Sequence, residues 1–592
     1  MDKEVYIPKY FKGIKKSNRS FPQFVNVLAG DTETYNGIPY LLSLCNNNEE
    51  ALVYEVDTDN ILDVFIKYLD KNSYLEEAGS RIQNVMFFHN MKFDLPILLY
   101  KYMDKFLNDE FIITYLYDFA NLRYVSIEVY ANKIFMCKIK IGKIKSVRDE
   151  HGNIKQVFKN PKIITILDSF NFFRKSLDSL CKDLDLPIKK MKRPDGIGER
   201  KILDDYMLEY AKNDALAEWY LGKYIINFHE SIDVPLSVSI AQLAQRYFCK
   251  HCLKENEHIY LPRNDIMNYA LLSYHGGKNG YYLDGVQRVR DVYVLDVVSM
   301  YPFIMLNMPP ITSGSYRQTS SVCYDYEGIY KVSGYVRDCT YPIICDHDFK
   351  YKSDCYINDI WTTSYELKEA IIRKEIDIDK CEGYIWIPDK KSYNPLETYV
   401  KYFFDKKNTT PRSNPNYLFF KILLNSLYGK FVQTVEEKYY MNYKDMELCM
   451  TKWKAGGLFN PFIATLITGG ARAYLHELEH EYKSIHSSTD SIMTTIRPHK
   501  EHLKDELGGL QIEAFGDAMF IRNKVYAVFD DRIKVATHGF QGNIEDLIKL
   551  YINKEYEYEI DKMIQVKEGL IHEDKIPMTF MKLKRVLNVE WN

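Results

Sequence analysis

Four acidic residues in the first third of the chain are spaced so that they could share metal ions. Asp31-Thr32-Glu33 puts two carboxylates at i and i+2, one face of a strand. Asp94 closes Phe88-His89-Asn90-Met91-Lys92-Phe93-Asp94, where an apolar strand gives way to a loop or helix start. Asp214 ends Tyr210-Ala211-Lys212-Asn213-Asp214, with Tyr210 and Asp214 at i, i+4 on one helix face. Singly, each is what a solvated surface acid looks like. As an ordered set they are the hard-oxygen donors that Mg2+ or Mn2+ takes. Two such ions can clamp the attacking and leaving oxygens of an in-line phosphodiester displacement. The phenol of Tyr210 suits the positioning of a metal-bound water.

A second set lies beyond residue 290. Asp296-Val297-Val298-Ser299-Met300-Tyr301-Pro302 follows the apolar strand Val292–Leu295. The Asp296 carboxylate and the Val297 carbonyl could bind metal, and Tyr301 is either a core aromatic or a steric gate beneath a sugar. Lys421-Ile422-Leu423-Leu424-Asn425-Ser426-Leu427-Tyr428-Gly429 sets Lys421, Asn425 and Tyr428 at i, i+4, i+7 opposite an apolar face. That stripe suits a triphosphate on Lys421 with base and sugar at Asn425 and Tyr428, and Gly429 permits close approach. Ser488-Thr489-Asp490-Ser491 reads as a hairpin turn offering Asp490 as the second metal carboxylate. In Lys524-Val525-Tyr526 the lysine suits a primer-terminal phosphate.

The elements that must position these groups alternate in type over the first 225 residues. Phe24–Leu28 is a strand ending at Gly30-Asp31, Val85–Phe88 and Ile163–Leu167 are further strands, and Tyr206–Ile225 is an apolar-periodic helix. This predicts an α/β domain with polar residues gathered at strand ends. Later, Tyr417–Phe431 reads as one helix, Ile485–Thr495 as strand-turn-strand, and residues 308–405 as an irregular inserted lobe. The 592 residues allow several cores, and a 46% hydrophobic, 27% charged composition is that of a soluble globular protein. A net charge of −3 gives no global pull toward nucleic acid, so any DNA track must come from local segregation. Two basic stretches, Lys138–Lys162 and Lys189–Arg193, are on their own solvated faces. No apolar run is long enough to span a bilayer, and the charged start lacks a signal-peptide core. The eleven cysteines read as reduced core thiols. Neither Cys249-Lys250-His251-Cys252 nor the loose group Cys339, Cys345, His347 and Cys355 has the spacing of a closed zinc site.

The order DxE, NxxFD, YxxxD resembles the 3′→5′ exonuclease motifs of family B DNA polymerases. The order DxxSxYP, KxxxNSxYG, TDS, KxY resembles their polymerase motifs, and Tyr274-His275-Gly276-Gly277 their YxGG link. The resemblance runs from about residue 25 to 540 and is nearest to the protein-primed branch of small tailed bacteriophages and linear plasmids. Asp296 and Lys421 stand 125 positions apart and Asn425 and Asp490 stand 65 apart, room for two insertions.

The fold implied is α/β plus α+β and multidomain. An RNase H-like exonuclease domain (1–229) precedes a right-hand polymerase domain with two palm-associated insertions. Palm would span 230–307 and 458–531, an insertion lobe contacting a priming protein 308–400, fingers 401–432, a hairpin insertion 433–457 and thumb 532–592. The resemblance makes Asp31, Glu33, Asp94, Asp214, Tyr210, Lys190, Asp296 and Asp490 catalytic. It assigns metal to Asp31, Glu33, Asp94, Asp214, Asp296, Val297 and Asp490, and nucleotide to Tyr301, Lys421, Asn425 and Tyr428. Thr32, His89, Asn90, Phe93, Ser169 and Phe170 would grip a frayed 3′ end. Tyr274, Gly276, Gly277, Thr489, Lys524 and Tyr526 would lie along duplex DNA. Two Mg2+ (or Mn2+) ions per active site, dNTPs, template-primer and single-stranded DNA, a terminal priming protein and a monomer in the host cytoplasm are implied with them. Ser488 departs from the family's usual Asp-Thr-Asp. Two other readings are an RNA-primed polymerase of cellular type, separated by whether extension starts from a protein hydroxyl, and a silent DNA-binding replication protein, separated by whether any dNTP is incorporated.

Overall fold

The computed structural model describes residues 5–6, 13–75, 82–102, 112–130, 136–148, 154–437, 452–530, 533–537, 544–553, 557–563 and 580–586. The N-terminal part is built on β1 (Phe24–Tyr35), whose parallel pairing with β4 (Ile82–Phe88) runs only from Phe24 to Ala29. Strand β1 continues past that point, paired with β2 (Ile38–Cys45) through a tight turn at Asn36-Gly37. Asp31 and Glu33 therefore lie inside a strand, beyond its parallel ladder, and not at the strand's end as the pattern suggested; the hairpin partner extends the pairing. The eight-stranded sheet runs β3 (Ala51–Glu55), β2, β1, β4, β8 (Ile154–Asp168), β7 (Met136–Arg148), β6 (Arg123–Tyr130), β5 (Ile112–Asp118).

One face of this sheet carries α1 (Ile61–Asn72), where Phe65 packs edge-on to Phe88. The other carries α3 (Asp205–Ser231), and α2 (Met91–Leu98) follows β4 directly. Helix α3 is capped by Asp204, whose side chain accepts the Met207 amide at 2.8 Å. It sits close to the sheet: Trp219 donates its indole N–H to the Val27 carbonyl at 3.1 Å. A methyl group on Gly222 would come within 2.5 Å of the Phe87 ring. This close packing fixes the helix bearing Asp214 against the strand bearing Asp31. The basic stretch from Lys138 falls on the β7–β8 hairpin, where Lys140 pairs with Glu128 and Lys162 with Asp70; its residues 149–153 lie outside the described residues.

The second half is organised by a seven-stranded antiparallel sheet. Its members are β9 (Asn279–Tyr281), β10 (Gln287–Val297), β17 (His486–Ser488), β18 (Ser491–Thr494), β19 (Leu510–Arg522), β20 (Val525–Phe529) and β21 (Lys534–Thr537). They are ordered β9, β17, β18, β10, β19, β20, β21. Behind β10 comes α4 (Met300–Leu306), and then a lobe with its own sheet: β11 (Gly314–Thr319), β12 (Gly328–Val336), β13 (Cys355–Thr363), β14 (Ile376–Pro388). The order β11, β14, β12, β13 is antiparallel throughout and encloses a core of Tyr330, Val332, Ile343 and Ile360 with helix α5 (Ser364–Ile372). Residues 308–405 are thus more regular than their Tyr, Cys and Asp content implied: Tyr335, Tyr356, Asp359, Asp377 and Asp379 take exposed positions on the strands, while Tyr330 joins the core.

Helix α6 (Pro395–Thr409) leads to α7 (Asn416–Leu424). The single helix expected over 417–431 is not formed. It ends at Leu424, turns through Asn425 and Ser426, and resumes as a 3-10 turn over Tyr428–Val432. The Asn425 amide nitrogen donates back to the Lys421 carbonyl at 3.0 Å and the Ser426 hydroxyl to that of Ile422 at 2.6 Å, which occupies the carbonyls a continuing helix would need. Two short strands, β15 (Thr434–Glu437) and β16 (Lys452–Ala455), pair antiparallel at the base of the 433–457 insertion, whose residues 438–451 lie outside the described residues. The largely buried α8 (Pro461–Tyr482) runs beneath the sheet and delivers the chain to β17. Among the described residues no helix is long and apolar enough to cross a membrane.

Candidate active sites

Strand β1 and helix α3 bring Asp31, Glu33 and Asp214 together, with one carboxylate oxygen from each within 4.8 Å of the others. Burial and the Asp214 charge push Asp31 up to about 7 against the pull of Lys190, and burial with Asp31 beside it holds Glu33 well above its usual range. Oδ1 of Asp214 is buried without a hydrogen-bond partner, while Oδ2 is paired with Lys190. Lys190 also lies 5.3 Å above the Tyr210 ring, so the second basic stretch is no mere solvated run. Three crowded carboxylates with an unfilled lone pair are a donor set for a hard divalent cation. Asp94 stands just outside the trio. It is buried and its Oδ1 accepts from the Thr32 amide at 3.1 Å and the Thr32 hydroxyl at 2.7 Å. The sequence grouped it equally with the others because spacing does not reveal that Thr32 takes up one of its oxygens.

Residues read as strand-gripping cluster beside this trio. Asp168, at the end of β8, accepts from the Asn90 amide (2.9 Å) and the Phe170 amide (3.0 Å), tying two strand ends together. Asn90 is left-handed (φ 66) and starts α2, with Phe93 bonded back to its carbonyl at 2.9 Å. His89 is held between the Ser169 hydroxyl (2.8 Å) and the Lys175 carbonyl (2.9 Å), its ring edge-on to Phe170. Burial lowers His89 to about 4, so at neutral pH it is an uncharged ring. Glu218, one helical turn beyond Asp214 and buried, lies 3.9 Å from His89 and was not singled out by the sequence.

The second pair meets across the seven-stranded sheet. Asp296 pairs with Ser491 in the β10–β18 register, and the Val297 amide donates to the Asp490 carbonyl at 2.8 Å. Asp296 is raised to about 7, first by burial and then by Asp490 and Glu513, with Lys534 and Lys421 opposing. Asp490 is raised as well, by burial first and then Glu513. The turn that presents Asp490 is strained. Thr489 is left-handed at φ 59, a conformation a β-branched residue takes only at a cost of about 1–3 kcal/mol. It is held there by the Thr489 amide on the Lys278 carbonyl at 2.8 Å. Ser488 turns its hydroxyl to Asn279 (3.4 Å), while Glu513 is the extra residue of a β19 bulge opposite Val294/Leu295. Glu513 pairs with Lys534. A bulge is invisible in the sequence, so this acid and its lysine were missed.

Tyr301 and Tyr428 stack with ring centroids 4.1 Å apart and planes 4° off parallel, joining α4 to the segment after α7. Gly277 lies against this site: a methyl there would come within 2.7 Å of Thr489 and 3.1 Å of the Tyr301 hydroxyl. Gly276 faces open space, and Tyr274 feels the Tyr428 hydroxyl. The loop is fixed from behind by fully buried Arg472, which donates to the carbonyls of His275 (2.7 Å) and Gly276 (3.1 Å) and makes a two-pronged pair with Glu366 (2.7 and 3.0 Å). A lone arginine in the apolar run of α8 was the signal available for it. Lys421 and Asn425 are exposed along a cleft with Phe173, Arg174 and Lys175 of the N-terminal part, and Lys407 and Arg412 lie in the same positive field. Lys524 stands at the other end of β19 from the aspartates, its amide bonded to His486 at 3.2 Å. Tyr526 does not present a free ring for DNA: it is buried against His486 and Phe520, and feels Glu513.

Residues 198–491 match the sequence family described as DNA polymerase type B, organellar and viral. The chain belongs to the type B DNA polymerases. It is similar to the DNA-directed DNA polymerase of Enterobacteria phage PRD1, at 25% identity over 448 residues, spanning 69% of this chain and 73% of that protein. Its fold matches Phi29 DNA polymerase complexed with primer-template DNA (TM-score 0.65, 16% identity, 95% of this chain and 100% of that one) and with single-stranded DNA (TM-score 0.66, 16% identity, the same coverage). This type B polymerase thus shares the multidomain architecture of those structures over nearly its whole length.

Proposed function

We propose that this polymerase extends DNA at Asp296 and Asp490 and removes mispaired 3′ ends at Asp31, Glu33 and Asp214, in protein-primed replication of a linear viral or plasmid genome inside the host cell. The observation that carries the reading is the meeting of Asp296 and Asp490 across adjacent strands, under the Tyr301–Tyr428 stack and within the field of Lys421. Both carboxylate sets fit divalent cations of the Mg2+ or Mn2+ class, two per site. Such ions, when bound, lower the pKa of the attacking hydroxyl or water and neutralise charge on the leaving oxygen.

The chain's own residues do the rest. Lys421, with Lys407 and Arg412, draws the triphosphate toward the aspartates. Tyr301 floors the sugar pocket against a 2′-hydroxyl, and Asn425 and Tyr428 border the base. Lys524, at the far end of the sheet, meets a primer phosphate, and Gly276 and Gly277 let template phosphates reach backbone amides. At the editing site, Phe93, Phe170 and neutral His89 provide stacking and polar edges for splayed nucleotides, with Thr32, Asn90 and Ser169 beside them. Lys190 steadies the scissile phosphate and Tyr210 orients the attacking water. Asp94, through Thr32, fixes the strand that carries Asp31 and Glu33. The lobe over 308–400 is the surface for a terminal protein whose side-chain hydroxyl starts the chain, and the polymerase acts as a monomer.

Primer extension and single-strand degradation measured side by side test the assignment. Asp490→Ala should abolish dNTP incorporation and leave degradation intact, and Asp31→Ala should do the reverse. Full incorporation by Asp490→Ala removes the polymerase site from where it is placed here.

A further inference from the structure

Away from both carboxylate sites, the structure gathers a third donor group where the lobe meets the palm helix. Helix α8 contains His476-Glu477-Leu478-Glu479-His480, so His476 and His480 project one turn apart on the same face. The lobe contributes Glu375, just beyond the end of α5. Its amide is bonded to the Ala370 carbonyl at 2.8 Å and its carbonyl accepts the Arg337 amide at 2.8 Å, so the side chain is aimed by backbone on both sides. One oxygen of Glu375 lies 2.8 Å from His480 Nε2, the other 3.2 Å from His476 Nε2, and one donor atom from each residue falls within 4.8 Å of the others.

We propose that Glu375, His476 and His480 form a zinc site that clamps the inserted lobe to helix α8. Donors sharing a tetrahedral ion at ordinary Zn–N and Zn–O lengths stand about 3.3 Å apart, the scale of the contacts seen. Glu375 is 5% exposed and His476 fully buried, yet neither Oε2 of the one nor Nε2 of the other completes a hydrogen bond, although they face each other. An ion between them satisfies both. The remaining nitrogen of His476, Nδ1, is 3.4 Å from the Glu369 carboxylate, the outer carboxylate that commonly orients a metal-bound imidazole. Two imidazoles and one carboxylate select a borderline ion such as Zn2+ over Mg2+.

The acids between the histidines are engaged elsewhere. Glu479 is tied to Lys278 and to the Tyr282 hydroxyl (2.7 Å), and Glu477 lines a separate surface pocket with Phe303 and Tyr474. Among the described residues the one further carboxylate given a contact with these histidines, Glu369, faces the outer nitrogen of His476 and not the space between the donors, which fits a structural clamp and not a hydrolytic centre. It would hold the lobe on the helix that feeds the Asp490 turn.

The test uses the full chain, purified from zinc-supplemented culture and exchanged into buffer with excess Mg2+, which displaces zinc from the all-oxygen sites. Elemental analysis should give one zinc per chain in the native protein. His480→Gln and Glu375→Gln, with circular dichroism confirming the fold, should each lower the zinc content by about tenfold or more. A folded native chain without zinc, or either variant retaining the native content, overturns the site. Should both variants fail to fold, Co2+ titration of the chelated native chain decides. Visible d–d bands lost stoichiometrically on adding Zn2+ support the proposal, and their absence overturns it.

Discussion

At the N-terminal site three carboxylates crowd together and a single lysine, Lys190, docks directly on Asp214. At the polymerase site two aspartates share their field with Glu513 and are countered from separate elements, Lys421 on α7 and Lys534 on β21. Asp31 and Asp296 reach the same value, about 7, by these different routes. The first site is complete within one domain, with its cation in contact. The second draws its compensating charge from Lys421 on α7 and from Lys534 on β21, the last strand of the same sheet, so its electrostatics depend on how α7 stands relative to that sheet. On the proposed assignment, an editing site of the first kind can act on any single strand that reaches it. A synthetic site of the second kind is completed by the parts that hold the nucleotide.

The largest expected effect breaks the second site alone. Asp296→Asn should lower incorporation by about 10³-fold or more, since a preorganised charge facing the reacting phosphate is lost, while degradation of single strands stays at the native rate. Equal loss in both assays would mean that the two sites are not independent. Next, Lys190→Ala should lower degradation by about 10²- to 10³-fold and leave extension unchanged. Unchanged degradation would return Lys190 to a solvated lysine that merely pairs with Asp214. Smaller still, Tyr301→Val should raise ribonucleotide incorporation relative to deoxyribonucleotide by about 10- to 200-fold in the ratio of kcat/KM, the range open to one steric contact. Since Tyr301 stacks on Tyr428, an equal fall for both nucleotides would instead identify the ring as packing for the segment after α7.

Both carboxylate pairs were legible in the sequence because their signals are local: a strand's two-residue repeat for Asp31 and Glu33, a helix turn for Tyr210 and Asp214, a hairpin for Asp490. What escaped was set by long-range geometry. Glu513 reaches the site only because β19 bulges opposite Val294/Leu295. Asp94 reads as an equal member until Thr32 is seen to occupy it. The helix over 417–431 has unbroken apolar periodicity, and only the back-bonding of Asn425 and Ser426 shows where it stops. Lys190 is one of five residues in a basic run, and nothing in the run itself marks which one turns inward; only the family resemblance singled it out. The lobe at 308–405 looked irregular because edge and surface positions dominate its composition, and its sheet becomes apparent only from pairing partners far apart in the chain.

The smallest effect reads the first site by pH. Asp31 has a folded value of about 7 against roughly 3.9 for an unfolded aspartate, and Glu33 and Asp94 are raised in the same direction by burial. Between those limits the folded chain keeps protons that the unfolded chain has released, so stability is fully present below about pH 4 and falls as pH rises toward about 7. Glu375 and Glu366 are depressed by their histidine and arginine partners, and their contribution has the opposite sign, being lost only in acid. The same window also holds Asp296, raised to about 7, and buried His89, His229 and His486, lowered to about 4, whose contribution rises with pH. Calorimetry of a chelated sample from about pH 5 to about pH 8 therefore isolates the crowded carboxylates as the difference between the native chain and Asp31→Asn, whose Tm should fall less across that range by a few degrees. Asp31→Asn should flatten the slope of the N-terminal domain, and Mg2+ should raise Tm more at the alkaline end, where the carboxylates are ionised and free to bind it. Equal slopes in the native chain and in Asp31→Asn would mean that the crowding at Asp31 is relieved by the protein itself.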